Sequence, residues 1–352
     1  MDLEMDAAGM GQFRPTRRAA CRLLSATALA ALAWPGCGRA TTSLVPESVT
    51  VLAPGPDGGM AELLATRAAG ALARGLVRAA ALRVSVLGGP DGITAANRFA
   101  SSTLRDGPVL LLLPGLAVQA QLVGDSRARY EPRHWPGICG SVQPCLLALR
   151  PDAPLNAPLR IAVPSAAAPE VAALLALDLL GRANVPVFCP PADSTRRHAA
   201  TEAAVRQAAA DGLVLSGTRA EARAAELGLI PVFAFDGAGN ARDPALPRVP
   251  ALGELLPDPA QPDLLTAARA AAAALRAQAL LVLPALTPAD VVALWRGAAR
   301  NWPEEAPDAP EAGARRIGPA EATLLLGTLC PPPDVALAYR LWLLRRLNYR
   351  SS

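Results

Sequence analysis

Short runs of valine, leucine and isoleucine alternate along this chain with longer stretches in which apolar side chains return every three or four positions. Apolar runs at residues 49–53, 82–87 and 108–113, closed by proline or glycine, predict buried strands, and residues 60–79 and 94–104 between them predict helices. The rhythm recurs with strands at 145–149, 159–163, 185–188, 213–215 and 230–235, and helices over 169–180, 199–210 and 218–227. Strands that are apolar throughout belong in parallel sheets covered by helices on both faces, an α/β fold, and their number suits two sheets rather than one. Proline-rich residues 243–262 predict an extended connector, because proline has no amide and moves its predecessor out of the helical region. An alanine-rich helix over 267–279, a strand over 280–283 and amphipathic helices over 288–300 and 334–347 close the chain. Trp295, Tyr339 and Trp342 are expected to pack these last helices onto a sheet, and acidic residues 301–318 to form a surface loop.

The N-terminus breaks this rhythm. Arg17 and Arg18 stand directly before an apolar run from Leu23 to Trp34, and small residues lead on to Ala40. A charged start, a short apolar core and a small-residue exit describe an export signal, and the paired arginines favour the twin-arginine route. The apolar run has 12 residues, short of the roughly 20 that span a bilayer. Cleavage after Gly38-Arg39-Ala40 gives a soluble periplasmic protein starting at Thr41; lipidation at Cys37, after Gly36, is the less favoured ending.

Composition narrows the chemistry. Hydrophobic residues make up 52% and aromatics only 4%, so alanine and leucine carry the core. The chain has no lysine: its 34 basic residues are all arginine, and they are scattered, with no basic tract of the kind that follows nucleic acid. Beyond the leader remain Cys139, Cys145, Cys189 and Cys330, without a C-x-x-C pair, and the two histidines are His134 and His198. That set is too dispersed for a zinc centre, and no cofactor motif is present. Cys139 and Cys145 suit either a disulfide or two buried thiols. No G-x-S-x-G elbow accompanies either histidine, so an exported hydrolase ranks as a distant third reading.

Five segments taken in order resemble the periplasmic receptors of the tripartite tricarboxylate transporter family, the Bug receptors. Residues 51–65, with Gly58-Gly59 before Met60, resemble the family's first strand, Gly-Gly turn and first helix. Residues 88–97 and Asp106-Gly107-Pro108-Val109-Leu110-Leu111 are similar to its glycine-rich turn and "D-G-Y-T-L-L" strand. Tyr130-Glu131-Pro132 with residues 136–149 resembles the entry into the second lobe, and residues 243–250 resemble "S-P-A-L-P-D-V-P". Leu283-Pro284-Ala285-Leu286-Thr287-Pro288 adds a weaker match to "A-P-A-G-T-P". The resemblance implies a two-lobed fold of the periplasmic-binding-protein type (type II, Venus flytrap), with residues 45–145 plus 250–352 in lobe 1 and 146–249 in lobe 2. It implies a monomeric receptor, not an enzyme, that closes over a small carboxylate and presents it to membrane permease subunits.

The site expected from this reading is a pair of strand-to-helix turns. Amides at the start of a helix have no intrahelical acceptor, and the macrodipole adds roughly half a positive charge there. Gly58, Gly59 and Met60 form that element in the first lobe. Ser165, Ala166, Ala167 and Ala168 take the place of the family's G-x-G-T turn in the second, where Ser165 supplies a hydroxyl or a helix cap. Glu62 stands where the family has aspartate, and Glu170 reads as a surface residue matched to the helix dipole. The altered second turn keeps an alternative open: a two-lobed protein that has lost solute binding and acts as a signalling or interaction partner.

Overall fold

Strand β1 (Ser48–Pro54) is buried from Val51 onward, as a strand covered on both faces must be, and β2 (Ala81–Leu87) beside it alternates in exposure as an edge strand does. We describe the fold from a computed structural model that covers residues 46–102, 108–154, 156–191, 198–235, 241–304 and 314–351. β3 (Val109–Leu113) and β4 (Gly137–Val142) follow, and β5 (Cys145–Leu149), β6 (Leu159–Val163), β7 (Asn184–Phe188), β8 (Gly212–Ser216) and β9 (Ile230–Ala234) build a second sheet. The chain then returns to the first sheet as β10 (Ala277–Val282) and β11 (Arg315–Ile317). The strand orders are β11-β4-β10-β3-β1-β2 and β7-β6-β8-β5-β9.

Helices α1 (Met60–Gly75), α2 (Ile93–Ala100) and α3 (Gly115–Val123) connect the early strands, and α4 (Ala172–Leu179), α5 (Ala199–Arg206) and α6 (Ala220–Glu226) those of the second sheet. The short α7 (Leu252–Leu255) and long α8 (Pro262–Arg276) lead back, and α9 (Ala289–Ala298), α10 (Pro319–Leu329) and α11 (Pro333–Leu347) close the chain. Both sheets lie within one compact unit of the chain. Among the described residues no helix is long and apolar enough to cross a membrane.

The expected α/β class with parallel-rich sheets holds, and both sheets are mixed. β1, β2 and β3 pair in parallel, as do β6, β7 and β8, whereas β10 and β5 pair antiparallel with both of their neighbours. β11 also pairs antiparallel, with β4, and β5 and β10 share a cause. β5 and β10 enter their sheets from the crossing between the two sheets and run away from it, while the helix-connected strands run toward it.

Other departures follow from pairing that a linear pattern does not carry. β4 has a weak apolar signal because of Gly137, Gly140 and Ser141, yet it is held between β10 and β11. Gly140 is required there, since a Cβ would stand 2.7 Å from the Ala279 carbonyl oxygen. The alanine-rich helix begins earlier than expected, at Pro262, where a missing amide costs nothing, and ends at Arg276. Residues 277–279 are strand because β4 pairs with them, Ala277 opposite Val142 and Ala279 opposite Ser141. In the expected loop over 301–318, Arg315–Ile317 pair with β4, and the Arg316 guanidinium lies 4.3 Å from the Trp302 ring centroid; residues 305–313 fall outside the described range.

α8 is the element that both sheets share. Its buried alanines let neighbours approach closely: it packs against α4 and β5 on one side and α3, α10 and α11 on others. A Cβ on Gly115 of α3 would sit 2.1 Å from the Ala274 carbonyl oxygen of α8. Leu265 and Leu275 join one apolar cluster with β5, β6, α4 and the Val335, Tyr339 and Leu343 face of α11.

Candidate functional site

The two expected turns occupy equivalent places in the two sheets. Pro54 ends β1 in register with Leu87 of β2, and β3 ends at Leu113 near the β4 terminus that leads to β5. In the second sheet β6 and β8 end beside the start of β5, where Ser216 pairs with Cys145. Counting outward from the crossing strands, β1 follows β10 and β3 as β6 follows β5 and β8. The loops after β1 and β6 therefore leave the carboxyl ends of their strands on the side of the crossing, which is where open α/β sheets bind ligands.

In the first turn Gly58 is exposed with φ +71°, a conformation that favours glycine, and Gly59 is the N-cap of α1 with φ −78°. Two of its amides are already engaged. Gly58 N–H donates to Glu62 Oε2 at 2.6 Å and Gly59 N–H to the Pro56 carbonyl at 3.0 Å. The helical bonding of α1 starts with Leu63 N–H donating to Gly59 O, which leaves the amides of Met60, Ala61 and Glu62 as the unpaired helix start. Glu62 thus places a carboxylate of the chain itself at the position expected for a ligand anion. That contact is readable in principle, since an N3 glutamate commonly reaches back to the start of its own helix.

The second turn is built differently. Ser165 is exposed and does not cap the helix; its carbonyl accepts Ala168 N–H at 3.2 Å. Ala168 leads into a 3-10 turn, Pro169–Val171, before α4 begins, so the helix expected over 169–180 starts late and with a proline that has no amide to offer. The Ala167 carbonyl accepts Gln119 Nε2 of α3 at 3.1 Å, a direct tie from the first sheet's helices to the second sheet's turn. Glu170 is 2% exposed and not a surface residue. The fold carries it beneath the turn, where its charge opposes ionisation of Cys145 and Tyr339. Among the described contacts no hydrogen bond or ion pair joins the first turn to the second.

Polar groups line the seam behind these turns. Asp243 pairs with Arg276 Nη2 at 3.0 Å, both buried, and Gln143 donates through its amide and Nε2 to the carbonyls of Arg276 and Leu275, each at 2.9 Å. The two chain crossings are thereby stitched together. Gln119 Oε1 and the Tyr339 hydroxyl are buried without a hydrogen-bond partner among the described residues. Burial pushes the Tyr339 phenol far up, and the neighbouring Gln119 amide offsets a small part of that. Sequence reasoning missed Gln119 because nothing in α3 marks it; its partner is 48 positions away.

Cys139 and Cys145 are both free and buried. Burial pushes the Cys139 thiol up to about 12 and the Cys145 thiol higher still, so neither is a nucleophile at neutral pH. Among the described residues no three histidine, cysteine or acidic side chains converge as metal ligands.

No protein-family model matches the chain, and no curated protein matches it. Solved structures do. A TctC solute-binding protein from Polaromonas, crystallised without ligand, matches 85% of this chain and 98% of its own at 16% identity, with a TM-score of 0.63. MatC from Rhodopseudomonas palustris with bound malate matches 82% and 98% at 20% identity with a TM-score of 0.49, and the periplasmic binding protein BugD 84% and 98% at 16% identity with a TM-score of 0.48. At such identities the likeness speaks for the fold, and the first of the three carries it. The chain has the fold of the TctC solute-binding proteins, the two-sheet periplasmic-binding-protein architecture that its five segments resemble.

Proposed function

We propose that this chain is an exported solute receptor, a divergent relative of the tripartite tricarboxylate transporter receptors. Residues 45–145 plus 250–352 act as one lobe and 146–249 as the other, and a small carboxylate lies between them. The observation that supports this reading is the equivalent placement of the two turns at the carboxyl ends of β1 and β6, either side of the crossing. In this arrangement one carboxylate group of the solute sits over the Gly58–Met60 turn, on the Met60, Ala61 and Glu62 amides, and the rest faces Ser165, Ala166, Ala167 and Ala168. Closing over the solute would present a complementary surface to permease subunits in the membrane. The leader, residues 1–40, lies outside the described range; its twin arginines direct export to the periplasm, with the mature monomer starting near Thr41.

A specific observation favours a second reading, a protein of the same fold that has lost solute binding. Glu62 already engages the Gly58 amide, and Pro169 and the Ala167–Gln119 bond spend part of the second turn's capacity. One experiment separates the two. A thermal-shift screen of the purified protein against di- and tricarboxylates, aromatic acids and neutral solutes should yield a carboxylate that, at about 100 times its Kd, adds roughly 2.7 kcal/mol of stability. A screen in which no carboxylate raises the midpoint supports the signalling or interaction role instead.

A further inference from the structure

A cavity of about 920 Å³ opens at the end of the first sheet opposite the crossing, where β4 begins and β10 ends. One wall is α9, with Val292 and Arg296, and the turn after it, with Arg300; the other is the Pro132–His134 turn, which contributes Arg133 and His134 beside the buried Trp135. The first turns of α9 and α10 also reach the cavity, at Ala289 and at Pro319 and Ala320.

The charge there is one-sided. Three arginines line the cavity, beside His134, and none of the described lining residues is acidic. Arg133 Nη2 donates to the Pro331 carbonyl, and Arg296 donates through Nε to Gly137 O and through Nη2 to Thr323 Oγ1, both at 3.1 Å. These acceptors are neutral, so they hold the guanidiniums in place without cancelling their charge. Arg300 is exposed and forms no ion pair with a described residue. The nearby carboxylates are engaged elsewhere: Glu321 pairs with Arg315 at 2.5 Å, Asp290 accepts Val291 N–H, and Glu131 accepts Gln121 Nε2 and Arg133 N–H. α9 and α10 also begin at the cavity without a capping side chain on their N-cap residues, and Asp290 and Glu321 in their first turns offset part of the positive helix ends.

Gathering three guanidiniums without a counter-charge among the described lining residues costs self-repulsion that a bound anion would remove. Arg296 stands in the last turn of α9 and Arg300 two residues beyond its end, and with Arg133 they bring three guanidiniums to one cavity, enough to meet two acid groups of one molecule. The volume lies within the roughly 300–1,000 Å³ usual for small-molecule sites, and Trp135 and Val292 give it an apolar lining. We propose that this cavity is a second anion site, separate from the cleft, for a small molecule carrying two or more carboxylate or phosphate groups.

The test uses inorganic pyrophosphate titrated calorimetrically into the purified protein. Saturable binding is expected that weakens as salt is raised, falls at least tenfold in Arg300→Ala, recovers in part in Arg300→Lys, and is unchanged in Gly59→Val. Because Arg300 is exposed, Arg300→Ala should fold, and without anion its thermal midpoint should match or exceed that of the parent as repulsion is relieved. Absence of saturable binding overturns the proposal. So does binding that ignores the arginine variants, or binding lost in Gly59→Val alone, which would place the anion in the cleft.

Discussion

The turn after β1 and the turn after β6 hold equivalent positions and are made by opposite means. The first is open: Gly58 takes a left-handed conformation, Met60 is 42% exposed, and Gly58 N–H meets the carboxylate of Glu62 four residues on. The second is pinned, with alanines in place of glycines, a 3-10 start, and a carbonyl tied to Gln119 across the seam. On the proposed receptor reading the difference gives them different work. An open helix start with unpaired amides can take up an anion, whereas a turn anchored on a buried helix positions and closes. On this account affinity resides mainly in the first turn, and rigidity in the second and in α8 behind it.

The largest effect should come from disturbing the shared helix. Ala271 is fully buried on α8, and Ala271→Leu forces extra volume between α8 and its neighbours, which should cost about 1–3 kcal/mol in denaturant unfolding. Gly59→Val acts on the open turn. Its Cβ would stand 2.7 Å from the Pro56 carbonyl oxygen, so strain arises from contact and not from φ, and carboxylate affinity should fall at least tenfold, about 1.4 kcal/mol, with the fold retained. Ser165→Ala should reduce affinity by no more than about 0.5–1.5 kcal/mol, because one hydroxyl hydrogen bond is at stake, and should leave unfolding unchanged. Glu62→Ala removes the resident carboxylate and should raise affinity, by about 0.3–1 kcal/mol of relieved competition at the helix start. Gln119→Met is the mildest in stability. It deletes a bond to Ala167 but also the unpartnered Oε1, so the two terms should nearly cancel in a melt. A sharp loss of stability in Gln119→Met would show that the second turn depends on that tie more than this comparison allows.

How much of this was readable from the sequence varies with where the information sits. β5 is apolar throughout and β6 is apolar but for the exposed Arg160, and their observed limits match the pattern to the residue. β4 and β11 were not readable, because their stability comes from partners on neighbouring strands and not from their own composition. The end of α8 was missed for the same reason, since alanine continues through Ala277 and Ala279 and only the pairing of β10 stops the helix. Both site turns were identifiable as strand-to-helix junctions. Their surroundings were not: Glu170 reads as a surface charge in one dimension and is buried on the 3-10 turn that packs against α8. Residues 1–40, which carry the export reading, lie outside the described structure.

The most direct test of the account is a side-by-side calorimetric titration of one dicarboxylate, chosen from the thermal-shift screen, into the parent protein, Gly59→Val and Glu62→Ala. If the open turn holds the anion, the two variants move affinity in opposite directions, Gly59→Val down and Glu62→Ala up. Equal affinity in all three proteins would contradict the assignment of the solute to the Gly58–Met60 turn.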